Sequence, residues 1–231
     1  MVLRATDIAG MIDLSCVRTV SNKADIETMV RAALKYSFGH VSVLQGFVPY
    51  TRQLLQQSHD VRLVGNVSFP SGSDSTSVKV LQAKELVTAG CDEIEMVMNI
   101  GRLRSGEFEA VEGDTRAVIE VARPLPVKVI IEIMVLTQEE IRAACEICVR
   151  AGAAFVKTGT GWADRGTTAE DVRLVKSCVG ERVKIKASGG IRNLSGLVEL
   201  HRAGARRFGV NLKSGIEIVE EASRMASGIV L

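Results

Sequence analysis

The feature that most constrains this chain is a rhythm. Short apolar runs rich in β-branched residues alternate with longer amphipathic stretches, and the alternation persists over most of the 231 residues. The runs are four to seven residues long and bounded by Gly, Pro, Asn or Asp, the pattern of buried strands. They cover 11–14, 40–44, 61–67, 93–98, 127–133, 154–157, 183–187 and 207–210. The intervening stretches predict helices over 23–36, 50–58, 75–89, 108–122, 137–151, 168–179, 194–203 and 215–226. Two of these open on a capping box, Thr137-Gln-Glu-Glu140 and Thr168-Ala-Glu-Asp171, in which a hydroxyl precedes an acid by three residues. Three Ala-Gly pairs, at Gly90, Gly152 and Gly204, each end a helical stretch just before a strand, where glycine suits a left-handed cap. Eight strand-then-helix units in a chain of this length predict an α/β fold, a (β/α)8 TIM barrel, as a single domain over 1–231. The first residues, up to about Gly10, form a short N-terminal helix beneath it. A doubly wound open sheet is the structural rival, but no G-x-G-x-x-G follows an early strand.

Composition narrows the function classes. Hydrophobic residues make up 46% of the chain and there are only four prolines, which argues against disorder. A net charge of +2 with 4% aromatics argues against nucleic-acid partners. No apolar run approaches the ~18 residues of a membrane span, and the opening Met-Val-Leu-Arg-Ala-Thr-Asp lacks a signal-peptide core, so a cytoplasmic location is expected. Five cysteines without a framework suggest reduced thiols. Cys145 and Cys148 form a C-x-x-C, but inside a predicted helix, where packing is the expected role rather than redox chemistry. His40, His59 and His201 have no ligand-like spacing, and no metal site is expected.

In a barrel of this kind, polar residues at the C-terminal ends of strands gather at one mouth. Here they are Asp13, Ser42, Asn66, Glu95 with Asn99, Glu132, Lys157, Lys186 and Asn211. Lys157 closes a buried strand, and Lys186 ends the next. Desolvation and a neighbouring cation would lower the pKa of Lys157 toward neutrality and let its amine attack a carbonyl. A lysine that binds phosphate as a point charge, or pairs with a strand-end carboxylate, fits the same spacing. Lys184 shares the face of Lys186 one layer deeper, where a partner such as Glu132 or a strand bend is expected. Gly189 and Gly190, with Gly209 and the Lys213-Ser214-Gly215 turn, lie where barrels often build a phosphate site. Glu95 and Asp13 would orient an amine or relay a proton, or form a structural ion pair. Glu93 shares a face with Glu95, so one of the two is expected in the barrel interior.

These residues resemble the deoxyribose-phosphate aldolases, class I aldolases of the barrel fold. The likeness runs over nearly the whole chain: Ile12-Asp-Leu-Ser15, Phe69-Pro-Ser-Gly72, Glu93-Ile-Glu-Met-Val-Met-Asn-Ile-Gly101, Lys128-Val-Ile-Ile-Glu132, Phe155-Val-Lys-Thr-Gly-Thr-Gly161, Gly166-Thr-Thr-Ala-Glu-Asp-Val172 and Lys186-Ala-Ser-Gly-Gly-Ile-Arg192. By resemblance, Lys157 is the Schiff-base lysine and Lys186 the lysine that tunes it. Gly161, Gly189, Gly190, Asn211, Lys213 and Ser214 would cradle a substrate phosphate. The chain departs from the family pattern at four places. Glu95 stands where an aspartate is usual, and Gly159 where many members carry serine. The segment Ser42-Val-Leu-Gln45 lacks the common cysteine and proline. After the last strand, Gly209-Val-Asn-Leu-Lys-Ser-Gly215 reads as two residues longer than the family's turn, bringing Lys213 into the phosphate loop.

The resemblance implies reversible cleavage of 2-deoxy-D-ribose 5-phosphate to acetaldehyde and glyceraldehyde 3-phosphate, in deoxyribonucleotide catabolism. No metal or organic cofactor is implied, the partner is a phosphorylated sugar, and a homodimer is possible within the family. Two alternatives stay open: a lysine aldolase acting on another phosphorylated sugar or ketone donor, and a non-catalytic phosphosugar-binding barrel. A barrel isomerase using Glu95 as base is a further enzymatic rival.

Overall fold

The computed structural model describes residues 2–56, 58, 60–225 and 228–230. Eight parallel strands close into a barrel: β2 (Ile12–Cys16), β3 (His40–Val43), β4 (Arg62–Val67), β5 (Glu93–Val97), β6 (Val127–Ile130), β7 (Phe155–Lys157), β8 (Lys184–Ser188) and β9 (Arg207–Asn211). Closure pairs β2 with β9, placing Asp13 beside Gly209 and Ser15 beside Asn211. Each strand is followed by a helix that packs outside: α2 (Lys23–Tyr36), α3 (Val48–Leu54), α4 (Thr76–Thr88), α6 (Phe108–Ala122), α7 (Gln138–Ala151), α8 (Ala169–Val179), α9 (Leu194–Ala203) and α10 (Leu212–Ser223). The expected TIM barrel is the observed fold. The first turn of helix, α1 (Ala5–Gly10), lies at the N-terminal end of the strands, where Gly39, just before β3, donates its N–H to Ala9 O at 3.2 Å. A side chain at 39 would have no room, since a Cβ there would sit 2.5 Å from Gly10 O. Beyond the eight units, β1 (Val2–Leu3) pairs with β10 (Ile229–Val230) in a short antiparallel ribbon.

Local chemistry explains the helix boundaries. Thr137 and Thr168 close their capping boxes with Glu140 and Asp171. Gly90, Gly152 and Gly204 all have positive φ, and Gly152 directly caps α7. Cys145 and Cys148 are buried inside α7, and burial pushes the Cys148 thiol up to about 12, as expected of packing residues.

Three segments differ from the sequence expectation. β6 stops at Ile130 instead of running on to 133, because Glu132 takes a left-handed conformation (φ 48°) and residues Ile133–Val135 turn into a 3-10 helix. A one-turn helix, α5 (Ile100–Arg104), follows β5, capped by Asn99, whose side chain accepts the Arg102 N–H. α10 begins at Leu212, directly after β9, with Asn211 as its cap. Among the described residues no helix is long and apolar enough to cross a membrane, and no cluster of three His, Cys, Asp or Glu could hold a metal. His59 lies outside the described residues.

The outer layer carries one fully buried charge pair. Lys79 on α4 donates to Asp114 on α6 at 2.6 Å and to Val97 O at 3.1 Å, which ties two helices to the end of β5. Removing one partner strands the other's charge in a dry site. Asp114→Ala is expected to lower unfolding stability at pH 7 by ~3–5 kcal/mol, measured by urea denaturation. A loss below ~1 kcal/mol would mean that the ammonium finds another acceptor.

Candidate active site

The strand register gathers the charged residues. In β5, period-two alternation sends both Glu93 and Glu95 into the barrel, so the interior holds two carboxylates rather than one. Lys157 and Lys186 are direct partners on β7 and β8. Their ammonium groups take opposite oxygens of one carboxylate: Lys157 Nζ donates to Glu95 Oε2 at 2.6 Å and Lys186 Nζ to Glu95 Oε1 at 2.6 Å. Lys186 also donates to Asp13 Oδ2 across the barrel closure. A third lysine completes the network. Lys128, fully buried on β6, contacts Glu93 at 2.5 Å, Asp13 at 3.1 Å and Glu95 at 3.3 Å. Below, His40 faces both Asp13 and Glu93, and Arg207 reaches Asp13 at 3.2 Å.

These contacts set the protonation of the site. Burial pushes the Asp13 carboxyl up, but Lys128 and Lys186 lead a group of cations that pulls it well below the ordinary carboxylate range. Glu95 is likewise opposed by burial and held ionised by Lys157, Lys186 and Lys128. Glu93 falls to about 2, against burial, through His40 and Lys128. Burial disfavours the charge on Lys128, yet its three carboxylate neighbours hold it above the ordinary lysine range. Lys186 behaves differently. Burial depresses it to about 8; Asp13 and Glu95 oppose the shift, and Lys128 and Lys157 add to it. An amine that titrates near neutrality, two hydrogen bonds from a second amine, is suited to proton transfer.

Above this network lies a narrow throat of about 20 Å³, lined by Lys157, Lys186 and Glu95 together with Ser42, Asn66 and Phe69. It opens into an outer cleft of about 100 Å³, whose walls include Gly161, Gly189, Gly190 and Asn211. Gly161, Gly189 and Gly190 all have positive φ, and a Cβ at 190 would lie 2.8 Å from Gly166 Cα, so these loops approach closely only as glycine. Of the remaining expected cradle residues, neither lines the cleft. Because α10 starts at Leu212, Lys213 and Ser214 belong to its first turn and no lengthened loop exists. Lys213 is 86% exposed and faces Glu217, whereas Ser214 is buried with its N–H bonded to Asn211 Oδ1.

The cations of the outer cleft are two arginines to which the sequence alone gives no role, although Arg192 closes the Lys186-to-Arg192 motif. Arg192 follows Gly190, and Arg18 follows β2. Arg18 stacks its guanidinium 5.2 Å from the Trp162 ring and donates to Gly161 O at 3.0 Å. Trp162 in turn meets Phe69 edge-on at 6.1 Å, so three loops are stitched across the mouth. Lys128, by contrast, has a local signal in the sequence: a lysine inside a β-branched run needs a buried partner, and the Glu-x-Glu strand supplies one.

Two other expectations change. Lys184 is exposed at the start of β8, 5.8 Å from the Phe155 ring, and does not pair with Glu132. Glu132 instead accepts the Thr160 N–H at 3.2 Å and so fixes the loop after Lys157. That contact explains Gly159, since a Cβ there would sit 2.8 Å from Glu132 Oε1 and 2.9 Å from Met134 Sδ. Asn99 caps α5 and is absent from the walls of both cavities.

Known proteins share the sequence and the fold of this chain. The sequence profile of the family described as DeoC/LacD family aldolase matches residues 8–215. The chain is 41% identical over 226 residues to the deoxyribose-phosphate aldolase of Rhizobium meliloti, covering 98% of this chain and 91% of that one. It is 42% identical over 220 residues to the protein of the same name from Carboxydothermus hydrogenoformans, covering 94% and 95%. Among solved structures, one described as "QR15, an Aldolase" superposes with a TM-score of 0.88 at 37% identity, over 93% of this chain and 95% of that one. The deoxyribose phosphate aldolase of Aeropyrum pernix, described as tetrameric, superposes with a TM-score of 0.86 at 27% identity, over 94% and 91%. The chain belongs to the DeoC/LacD aldolase family.

The network makes stability sensitive to acid. The Glu93 carboxyl is depressed from 4.5 to about 2, so its stabilising contribution is present above the unfolded value and is lost as pH falls through the window from 4.5 to 2. Glu93→Gln is expected to be less stable than the parent at pH 7 and to lose less stability across that window. Urea midpoints at pH 7, 4 and 3 would read this, and parallel curves for the two proteins would contradict it.

Proposed function

We propose that this member of the DeoC/LacD aldolase family is a deoxyribose-phosphate aldolase that works through an imine on Lys157. The supporting observation is the sharing of one carboxylate: Glu95 holds Lys157 and Lys186 by its two oxygens, directly beneath a glycine-walled cleft. The reaction is the reversible cleavage of 2-deoxy-D-ribose 5-phosphate to acetaldehyde and glyceraldehyde 3-phosphate. Lys157, once its proton has passed to a neutral Lys186 along the Glu95 carboxylate that joins the two amines, attacks the aldehyde carbon to give a carbinolamine. Loss of water forms the imine, whose nitrogen accepts the electron pair of the breaking C–C bond. The resulting enamine is protonated at carbon and hydrolysed, which releases acetaldehyde and restores the amine. Lys186, titrating near 8 and joined to the same carboxylate, supplies and retrieves protons, and Asp13 holds it in place. These steps call on no metal or organic cofactor.

The phosphate end fits the outer cleft. Backbone N–H groups of the loops at Gly161 and Gly189-Gly190 can approach an anion, and Arg18 and Arg192 supply the positive charge. Asn211 also faces this cleft while it caps α10. The chain acts in this reading as one domain in the cytoplasm, and a homodimer is one assembly that the family resemblance allows.

Three outcomes test the assignment. Borohydride reduction in the presence of acetaldehyde is expected to add one reduced two-carbon unit at Lys157, located by peptide mass spectrometry, and Lys157→Ala should abolish both labelling and cleavage. Labelling at another residue, or none, would sink the imine. Because Glu95 spans two ammoniums at 2.6 Å each, Glu95→Asp should break one contact and lower kcat by ~10-fold or more. Arg18→Ala is expected to raise KM for deoxyribose 5-phosphate by ~10-fold and to leave KM for unphosphorylated deoxyribose nearly unchanged. Equal shifts for the two substrates would remove Arg18 from the phosphate end.

A further inference from the structure

One buried polar atom in the throat has no partner among the described residues. Asn66 lies on β4 beside Glu95, its register partner on β5, and is 3% exposed. Its amide nitrogen donates to Val43 O at 2.8 Å and to Ser42 Oγ at 2.9 Å. A backbone carbonyl can only accept, so this contact fixes which end of the amide is nitrogen and turns Oδ1 away from β3. Oδ1 is left as an unpaired acceptor in a residue that lines the throat with Lys157 and Lys186. Burying an amide oxygen without a donor is costly, and the cost is recovered when a ligand brings one. Glu95 and Asp13 are acceptors held ionised, and the hydrogen bonds of the two lysines go to these carboxylates and not to Oδ1.

We infer that Asn66 Oδ1 receives a hydroxyl on the donor carbon next to the carbonyl, so that the enzyme also uses a hydroxylated two-carbon donor, glycolaldehyde. The inference rests on Lys157 as the imine-forming residue. Asn66 lines the same throat as Lys157 and is the register partner of Glu95, which holds Lys157, so its free acceptor faces the chamber that would receive the carbon adjacent to the imine. Lys157 adds to the glycolaldehyde carbonyl and one water leaves, giving the imine. Loss of a proton from the hydroxyl-bearing carbon gives the enamine. That carbon then bonds to the aldehyde carbon of glyceraldehyde 3-phosphate, whose oxygen takes up a proton. Hydrolysis by one water frees Lys157 and an aldopentose 5-phosphate with a hydroxyl at its second carbon.

The unmodified protein is incubated separately with acetaldehyde and with glycolaldehyde, reduced with borohydride and mapped. Both donors are expected to label Lys157, the second adding a unit with one more oxygen. Label from acetaldehyde alone overturns the inference and leaves the aldolase assignment intact, whereas label from neither overturns both. With glyceraldehyde 3-phosphate as acceptor, Asn66→Leu is expected to lower the ratio of kcat/KM for glycolaldehyde to that for acetaldehyde by ~10-fold or more. An unchanged ratio would mean that Oδ1 serves a water common to both donors, and the inference fails. Should Asn66→Leu not fold, as judged by circular dichroism, Ser42→Ala frees one of the two holds on the amide and is expected to lower the same ratio by ~3-fold. An unchanged ratio there is equally contrary.

Discussion

A single carboxylate shared by two lysines governs the interior of this barrel. Glu95 can hold Lys157 and Lys186 together only because their strands are neighbours in register and because its own strand, two places from β7, turns it into the same barrel interior. Charges this deeply buried would be prohibitive alone, and they persist because each ammonium meets one or more carboxylates. Asp13, Glu93 and Glu95 face Lys128, Lys157 and Lys186, with His40 and Arg207 beneath. Such a network adds little net stability compared with an apolar core of equal volume. What it supplies is a fixed geometry in which protons move over hydrogen-bond distances.

The site is divided by depth. The throat keeps Lys157 and its partners nearly dry, where charges interact strongly and a buried lysine can titrate near 8. The outer cleft is wider and walled by glycine loops, with two arginines at its rim. An elongated substrate with a reactive aldehyde at one end and an anion at the other matches this division, because binding the distant anion orients the reacting carbon. The Arg18–Trp162–Phe69 chain joins the loops after β2, β7 and β4, so both compartments share one rim.

Some of the site was legible because strand chemistry is local. Lys157 and Lys186 each end an apolar run, and a lysine there demands a reason whatever the fold. The glycines at 161, 189 and 190 were visible for a similar reason, since clustered glycine after a strand marks close backbone approach. The glycine-flanked segment after β9 has the composition of a loop, yet it holds the first turn of α10, and Lys213 lies on that turn and outside the cleft. Asn211 caps a helix that starts at once, and the helical turn swings Lys213 outward. Lys184 is the opposite case: it obeys the period-two rule, but it starts its strand at the exposed end of the barrel, where no burial forces a partner.

By itself the sequence determined the eightfold alternation, the helix caps and the face of each strand that points inward. These depend on spacings of two to four residues, which the backbone fixes without help from distant parts of the chain. The tertiary structure alone decided which charges meet. Asp13 and Lys186 are 173 positions apart and Lys157 and Glu95 are 62 apart, and only barrel closure and register bring their atoms into contact. Arg18 above Trp162 and the unpaired oxygen of Asn66 belong to the same class. Each arises from loops or strands packed side by side, and no local pattern encodes the distance between them.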